Sequence, residues 1–152
     1  MIVLVIVIIM ASIATYYAIH YRNNDNLRIV ASQVSNDINA LKEQAYKMNS
    51  NYTISFNQTA NTYTINGPTV LNQSLSSFGA GVIFYTIPGG GSTYTLTFLS
   101  RGTLSFDPTA TNCSSSSVGT CTIALRNNNT KPSYAYITFY LTGKTYVTYA
   151  MQ

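Results

Sequence analysis

The feature that most limits what this chain can become is its beginning. Residues Met1 to Ala14 read MIVLVIVIIMASIA, and Thr15, Tyr16, Tyr17, Ala18 and Ile19 continue the run without a charge. The first fixed charge is Arg22. As a helix, residues 1–19 reach about 28 Å, close to the hydrocarbon thickness of a bilayer. A cleaved signal peptide would carry a basic stretch before the apolar run and a small-x-small site followed by a turn, and neither is present. The run passes instead into a second helical pattern, so the segment reads as a retained arm.

From Leu27 the apolar positions fall at Leu27, Ala31, Val34, Ile38, Leu41, Ala45 and Met48. The steps alternate between four and three, which is one stripe of an amphipathic helix. No Gly or Pro occurs before Gly67, so one helix can run from residue 1 to about 49. Its first half is apolar all round and needs lipid or other such helices around it. Its second half has one stripe, and Val34, Ile38, Leu41 and Ala45 are expected to pack on a sheet. Asn23-Asn24-Asp25-Asn26 are four poor helix formers in a row. Three readings stay open for them: a kink or melted turn, an N-cap for a helix starting at Leu27, or solvent-facing residues of an unbroken helix.

Beyond Asn49 the period changes to two. Tyr52, Ile54 and Phe56 alternate with Thr53 and Ser55, and Tyr63 and Ile65 return after a polar turn, so a hairpin is expected that Gly67-Pro68 ends. Further strands are expected at Val82–Ile87, Tyr94–Leu99, Leu104–Phe106, Thr120–Leu125, Tyr134–Leu141 and Tyr146–Ala150, with turns marked by Gly, Pro and Asn between them. Nothing after residue 50 reads as helical. The fold class expected is α+β: a long N-terminal helix packed on an antiparallel β-sheet head. Residues 1–26 form the hydrophobic arm and 27–152 the head, with amphipathic helix 27–49 and strands across 52–152.

Only 8% of residues are charged, far below the roughly 25% of an ordinary soluble domain. Polarity comes from Ser, Thr, Asn and 13 Tyr, which gives a hydroxyl- and amide-rich surface suited to close packing. Eight basic residues against four acids give a net charge of +4. They form no basic run, which weakens a nucleic-acid partner. The two cysteines, Cys113 and Cys121, flank a Ser/Gly-rich loop. A metal site needs more ligands, and the one histidine, His20, lies far off in sequence. A disulfide in an oxidising compartment is the reading taken, with two free thiols in a reducing cell as the alternative.

Catalysis fails on inventory. The acids are Asp25, Asp37, Glu43 and Asp107, and Ser-His-Asp or Cys-His chemistry would have to recruit His20 from the end of the arm. Gly89-Gly90-Gly91 lacks the Lys-Ser/Thr of a phosphate loop and reads as a hairpin tip. No catalytic residue, cofactor or metal is expected. Asn-x-Ser/Thr sequons begin at Asn51, Asn57, Asn72, Asn112 and Asn128. They are glycan-attachment candidates in an exported protein, or chance in a chain this rich in Asn, Ser and Thr.

The string MIVLVIVIIMASIA resembles the stretch of bacterial type IV pilins and type II secretion pseudopilins that follows their methylated N-terminal residue and glutamate. The segments YTISF, YTLTFLSRGTLSF and YITFYLTGKTYV, where a strand meets a Gly turn and returns, resemble the head of minor pseudopilins of the GspH/FimT type. The family's glutamate, five residues into the mature chain, has no counterpart, since residue 5 is Val5. Either Met1 lies about six residues inside the mature subunit, or this subunit does without that carboxylate. The family's helix-breaking Gly and Pro would align near Ile8 and Tyr16, so melting there is not carried over. GKTY replaces the basic Gly-Arg pattern of DNA-binding members.

The resemblance implies a structural subunit that polymerises into an extracellular filament (pilus, or fimbrium). Met1, Ile2, Leu4, Ile6, Ile9 and Ile13 would lie in the filament core, among copies of itself. It implies residence in the inner membrane before a pilus or type II secretion assembly machine extracts the subunit. The alternatives are a minor pseudopilin of a type II secretion pseudopilus, and a membrane-anchored pilin that binds DNA or another ligand.

Overall fold

A computed structural model describes residues 2–106, 110–114 and 119–152, with side chains from residue 6 onward. Helix α1 runs from Ile2 to Lys47, 46 residues and about 69 Å. It passes without a break through Ile8, Tyr16 and the Asn23–Asn26 run, so the melted turn and the second N-cap are excluded. The helix ends where Asn49 turns left-handed at φ 48° and Ser50 N–H donates back to the Ala45 carbonyl at 3.1 Å, a helix-terminating turn of the left-handed type. Met48, the last position of the expected stripe, therefore sits in the turn and is exposed.

Among the described residues ten strands follow, and every pairing between them is antiparallel. They are β1 (Tyr52–Asn57), β2 (Thr62–Asn66), β3 (Val70–Ser74), β4 (Val82–Thr86), β5 (Thr93–Phe98), β6 (Leu104–Ser105), β7 (Cys113–Ser114), β8 (Thr120–Asn127), β9 (Tyr134–Tyr140) and β10 (Thr145–Ala150). One sheet has the order β3-β2-β1-β5-β6, and the other β10-β9-β8-β4 with β7 added beside β8. The α+β class with a helix on antiparallel sheet is thus observed, but the sheet is divided in two.

Several elements differ from the sequence expectation. After Gly67-Pro68 the chain returns at once as β3, an exposed edge strand. A single helical turn, α2 (Leu75–Phe78), exists beyond residue 50 and buries Leu75. Gly89 and Gly90 have positive φ, but the run is no hairpin tip: β4 pairs with β8 and β5 with β1, so it carries the chain from one sheet to the other. The hairpins across Gly102 and Gly143 form as read.

Leu27, Ala31, Val34, Ile38 and Ala45 are wholly buried, and Leu41 nearly so. Val30, outside the counted stripe, is buried with them. The buried face is wider than one stripe because α1 touches strands of both sheets, β1 and β5 on one side and β4, β8, β9 and β10 on the other. Inward residues alternate along the strands, as in Ile54 and Phe56 of β1 and Ala135, Ile137 and Phe139 of β9. Phe56 of one sheet meets Phe84 of the other edge-on at 5.8 Å, so a single core spans both.

Candidate functional site

The arm is the part of the molecule whose apolar surface the rest of the described chain leaves uncovered. From Ile6 to Ile19 every large apolar side chain is exposed, each between 52% and 68%. An exposed apolar surface on all sides of a helix has no stable place in water. Two of the hydroxyls within it are satisfied by the helix itself: Ser12 Oγ donates to the Ile8 carbonyl and Thr15 Oγ1 to the Ala11 carbonyl, both at 2.8 Å. Such i−4 bonds remove the cost of placing a hydroxyl in an apolar medium. Ile6, Ile9 and Ile13 lie on this surface, while the side chains of Met1, Ile2 and Leu4 fall outside the described set. Among the described residues no helix is long and apolar enough to cross a membrane. The run counted in the sequence includes residues 1–5, whose side chains are not described.

Where the arm ends, aromatic and amide side chains take over. Tyr16 and Tyr17 meet edge-on at 5.9 Å and His20 lies 6.3 Å from Tyr16. One turn on, the asparagine run clamps the helix to the head. Asn23 Nδ2 donates to Asn129 Oδ1 at 2.7 Å. Asn24 Oδ1 accepts from Asn127 at 2.7 Å and Asn129 at 3.3 Å, and its Nδ2 donates to the Gln152 carbonyl. Asn26 Nδ2 donates to the Ala80 carbonyl at 3.1 Å. The run that looked like a helix breaker is an amide dock joining α1 to the β8–β9 loop and to the C-terminus.

A second close approach sits nearby. At Gly79 a Cβ would lie 2.9 Å from Val30 Cγ2 and 3.0 Å from the Asn26 carbonyl, so the loop after α2 lies directly on the helix.

Comparison of the chain with protein-family models, curated proteins and solved structures finds no match. The functional reading therefore rests on the residues themselves.

Cys113 and Cys121 form a disulfide that ties β7 to β8. Cys121 is buried and Cys113 half-buried. Val34, Ile38, Leu41 and Ala45 lie together in the core, as read from the stripe. Asn51, Asn72, Asn112 and Asn128 are exposed and Asn57 is half-exposed. They are spread over the head, so they make no single site.

The described carboxylates, Asp25, Asp37 and Glu43, all sit on α1; Asp107 lies outside the described residues. Asp37 accepts from Gln33 at 2.9 Å and from the hydroxyl of fully buried Tyr63. Burial first, then that bond to Asp37, pushes the Tyr63 phenol well above its ordinary range. Among the described residues no cluster of three His, Cys, Asp or Glu could hold a metal ion.

Sequence reasoning missed two groups. One is the amide dock, whose only signal was a tetrad that three conformations could explain. The other is an outward tyrosine-threonine face on the second sheet, legible as the period-two series Tyr134, Tyr136, Thr138, Tyr140.

Proposed function

We propose that this chain is a structural subunit of the pilin kind, which polymerises through its N-terminal helix into an extracellular type IV pilus-like filament and does not act by catalysis. The observation that carries the reading is the arm. It is a continuous helix, apolar on all sides, whose Ser12 and Thr15 hydroxyls are satisfied internally. Such a helix is stable in lipid or among copies of itself. The rigid dock at Asn23–Asn26 then fixes the angle at which the head is carried on the arm. That arrangement, a long helix half buried in a strand-rich head, is what the pilin resemblance implies.

Before assembly the arm lies in the inner membrane, with the uncharged residues 1–19 in the bilayer and Tyr16, Tyr17 and Tyr21 at the headgroup level. Assembly moves the arm from lipid into a bundle of other arms. Burial of apolar surface drives little of this, because lipid already covers that surface. Helix packing and contacts between heads must supply the gain, and an assembly machine the work of extraction. The disulfide and the hydroxyl-rich head suit an oxidising exterior.

The test uses the chain's lack of a free thiol among the described cysteines. Ile9→Cys places one in the arm and Thr53→Cys places one on the head. In fibres sheared from cells, the Ile9→Cys thiol should resist a water-soluble alkylating reagent while the Thr53→Cys thiol reacts. Equal, rapid labelling of both in the same fibres would refute an arm-built core.

A further inference from the structure

The outer face of the second sheet carries a surface that polymerisation through the arm leaves unused. Along β9, Ala135, Ile137 and Phe139 point into the core, so Tyr134, Tyr136, Thr138 and Tyr140 point out. The register sets Thr122 and Tyr146 on either side of Thr138, and Arg126 opposite Tyr134. At one end the Tyr134 and Tyr136 rings stack at 6.2 Å, Tyr85 meets Tyr134 at 5.2 Å, and the Arg126 guanidinium stands 5.2 Å from the Tyr85 ring. At the other end Tyr140 and Tyr146 meet edge-on at 5.6 Å and Lys144 Nζ stands 5.4 Å from the Tyr146 ring. That end forms an open cleft of about 480 Å³, lined by Thr138, Tyr140, Thr142, Lys144, Tyr146 and Thr148.

Three properties of this face decide its ligand. It offers half-exposed tyrosine rings, with the Tyr134 and Tyr136 faces turned to each other and Tyr140 edge-on to Tyr146, together with phenol hydroxyls for a polar partner. Threonine hydroxyls stand between them, able to donate and accept. It carries two cations and no described carboxylate, since Asp25, Asp37 and Glu43 all lie on α1. The cations stand at opposite ends of the seven-residue strand β9, about 20 Å apart along it. A nucleic-acid strand places a charge roughly every 3.4 Å, so two cations would leave most of its phosphates unneutralised. A chain of pyranose rings with occasional carboxylates matches both the hydroxyl pattern and the sparse charge.

We propose that the outer face of the β10-β9-β8-β4 sheet binds an acidic polysaccharide laid along the Tyr134–Tyr140 line, with a carboxylate-bearing unit in the cleft beside Lys144. The site lies wholly on the head and stands whether or not the chain polymerises. Lys144 and Tyr146 are both exposed, so their removal leaves the core untouched.

The full chain in detergent micelles is tested against hyaluronate, which carries a carboxylate on every second ring, with dextran as the neutral polymer and a thymidine oligonucleotide as the polyphosphate. Hyaluronate should bind at least about tenfold more tightly than either. The Lys144→Ala, Tyr146→Ala double variant should lose about tenfold in affinity at an unchanged melting temperature. Lys144→Glu should abolish the preference over dextran. Arg28→Ala, the same loss of charge on α1, should bind as the parent does. Equal binding of dextran, tighter binding of the oligonucleotide, no binding of any polymer, or an equal loss in Arg28→Ala would each overturn the site.

Discussion

Tyr63 shows how one buried polar residue ties the helix to the head. Its ring is fully enclosed and lies tilted against Phe56 at 6.2 Å, while its hydroxyl crosses to Asp37 on α1. The half-buried carboxylate has the Gln33 amide as a second donor, so neither polar group enters the core unpartnered. The folded protein holds the Tyr63 proton far above the ordinary value of 10.0, whereas the unfolded chain releases it near that value. Stability from this group is therefore complete below about pH 10 and is lost as the pH rises beyond it. Thermal melts should be flat in this contribution from neutral pH to about 9 and fall above about 10. Tyr63→Phe should cost about 1.5–3 kcal/mol at neutral pH, since it strips a donor from a charged acceptor, and should flatten part of the alkaline slope. Identical slopes in both proteins would remove Tyr63 from the explanation.

Helix α1 is the element that organises the head, and its contacts differ in how legible they are in the sequence. The stripe from Leu27 to Ala45 was legible because helical period and burial agree at each position. Ile38→Asp should destabilise the head by several kcal/mol, because it buries a charge with no partner; an unchanged melting temperature would mean that this face packs elsewhere. Val30 escaped the count because the helix lies against both sheets, and a two-sided neighbour wets no part of that arc. Met48 was lost to a local event, the left-handed turn at Asn49. The division into two sheets was illegible for a different reason. It depends on pairings such as Tyr52 with Phe98, which local alternation does not encode. β3 was missed because Val70 and Leu71 are exposed apolar residues on an edge, and show no alternation to read.

Propensity alone leaves the asparagine run open between a melted turn, an N-cap and an unbroken helix, since helix interiors disfavour Asn without forbidding it. The run's contribution is tertiary: the amides exchange hydrogen bonds with Asn127, Asn129 and the backbone. Asn127 is almost wholly buried, so Asn24→Ala would leave its Nδ2 group without this acceptor. The expected cost is about 1–3 kcal/mol, with faster amide exchange at residues 22–26 and at 127–129. Exchange rates unchanged in both segments would show that the dock does not hold the arm.

At the scale of the molecule, the arm and the head are separate in their energetics and joined in their use. The described core begins at Leu27, and residues 6–21 bury almost none of their side chains. The head therefore keeps its helix stripe, both sheets and the disulfide when the arm is gone. The arm, in contrast, has no polar face and no life in water by itself. Chains lacking residues 1–21 should accordingly be soluble, folded and monomeric, with a melting temperature near that of the full-length head. The deciding measurement is electron microscopy of material sheared from cells that make either the full-length or the truncated chain, with each chain quantified in the purified fibres. Fibres containing the full-length chain and none of the truncated one are expected; fibres that take up both chains equally would contradict polymerisation through the arm.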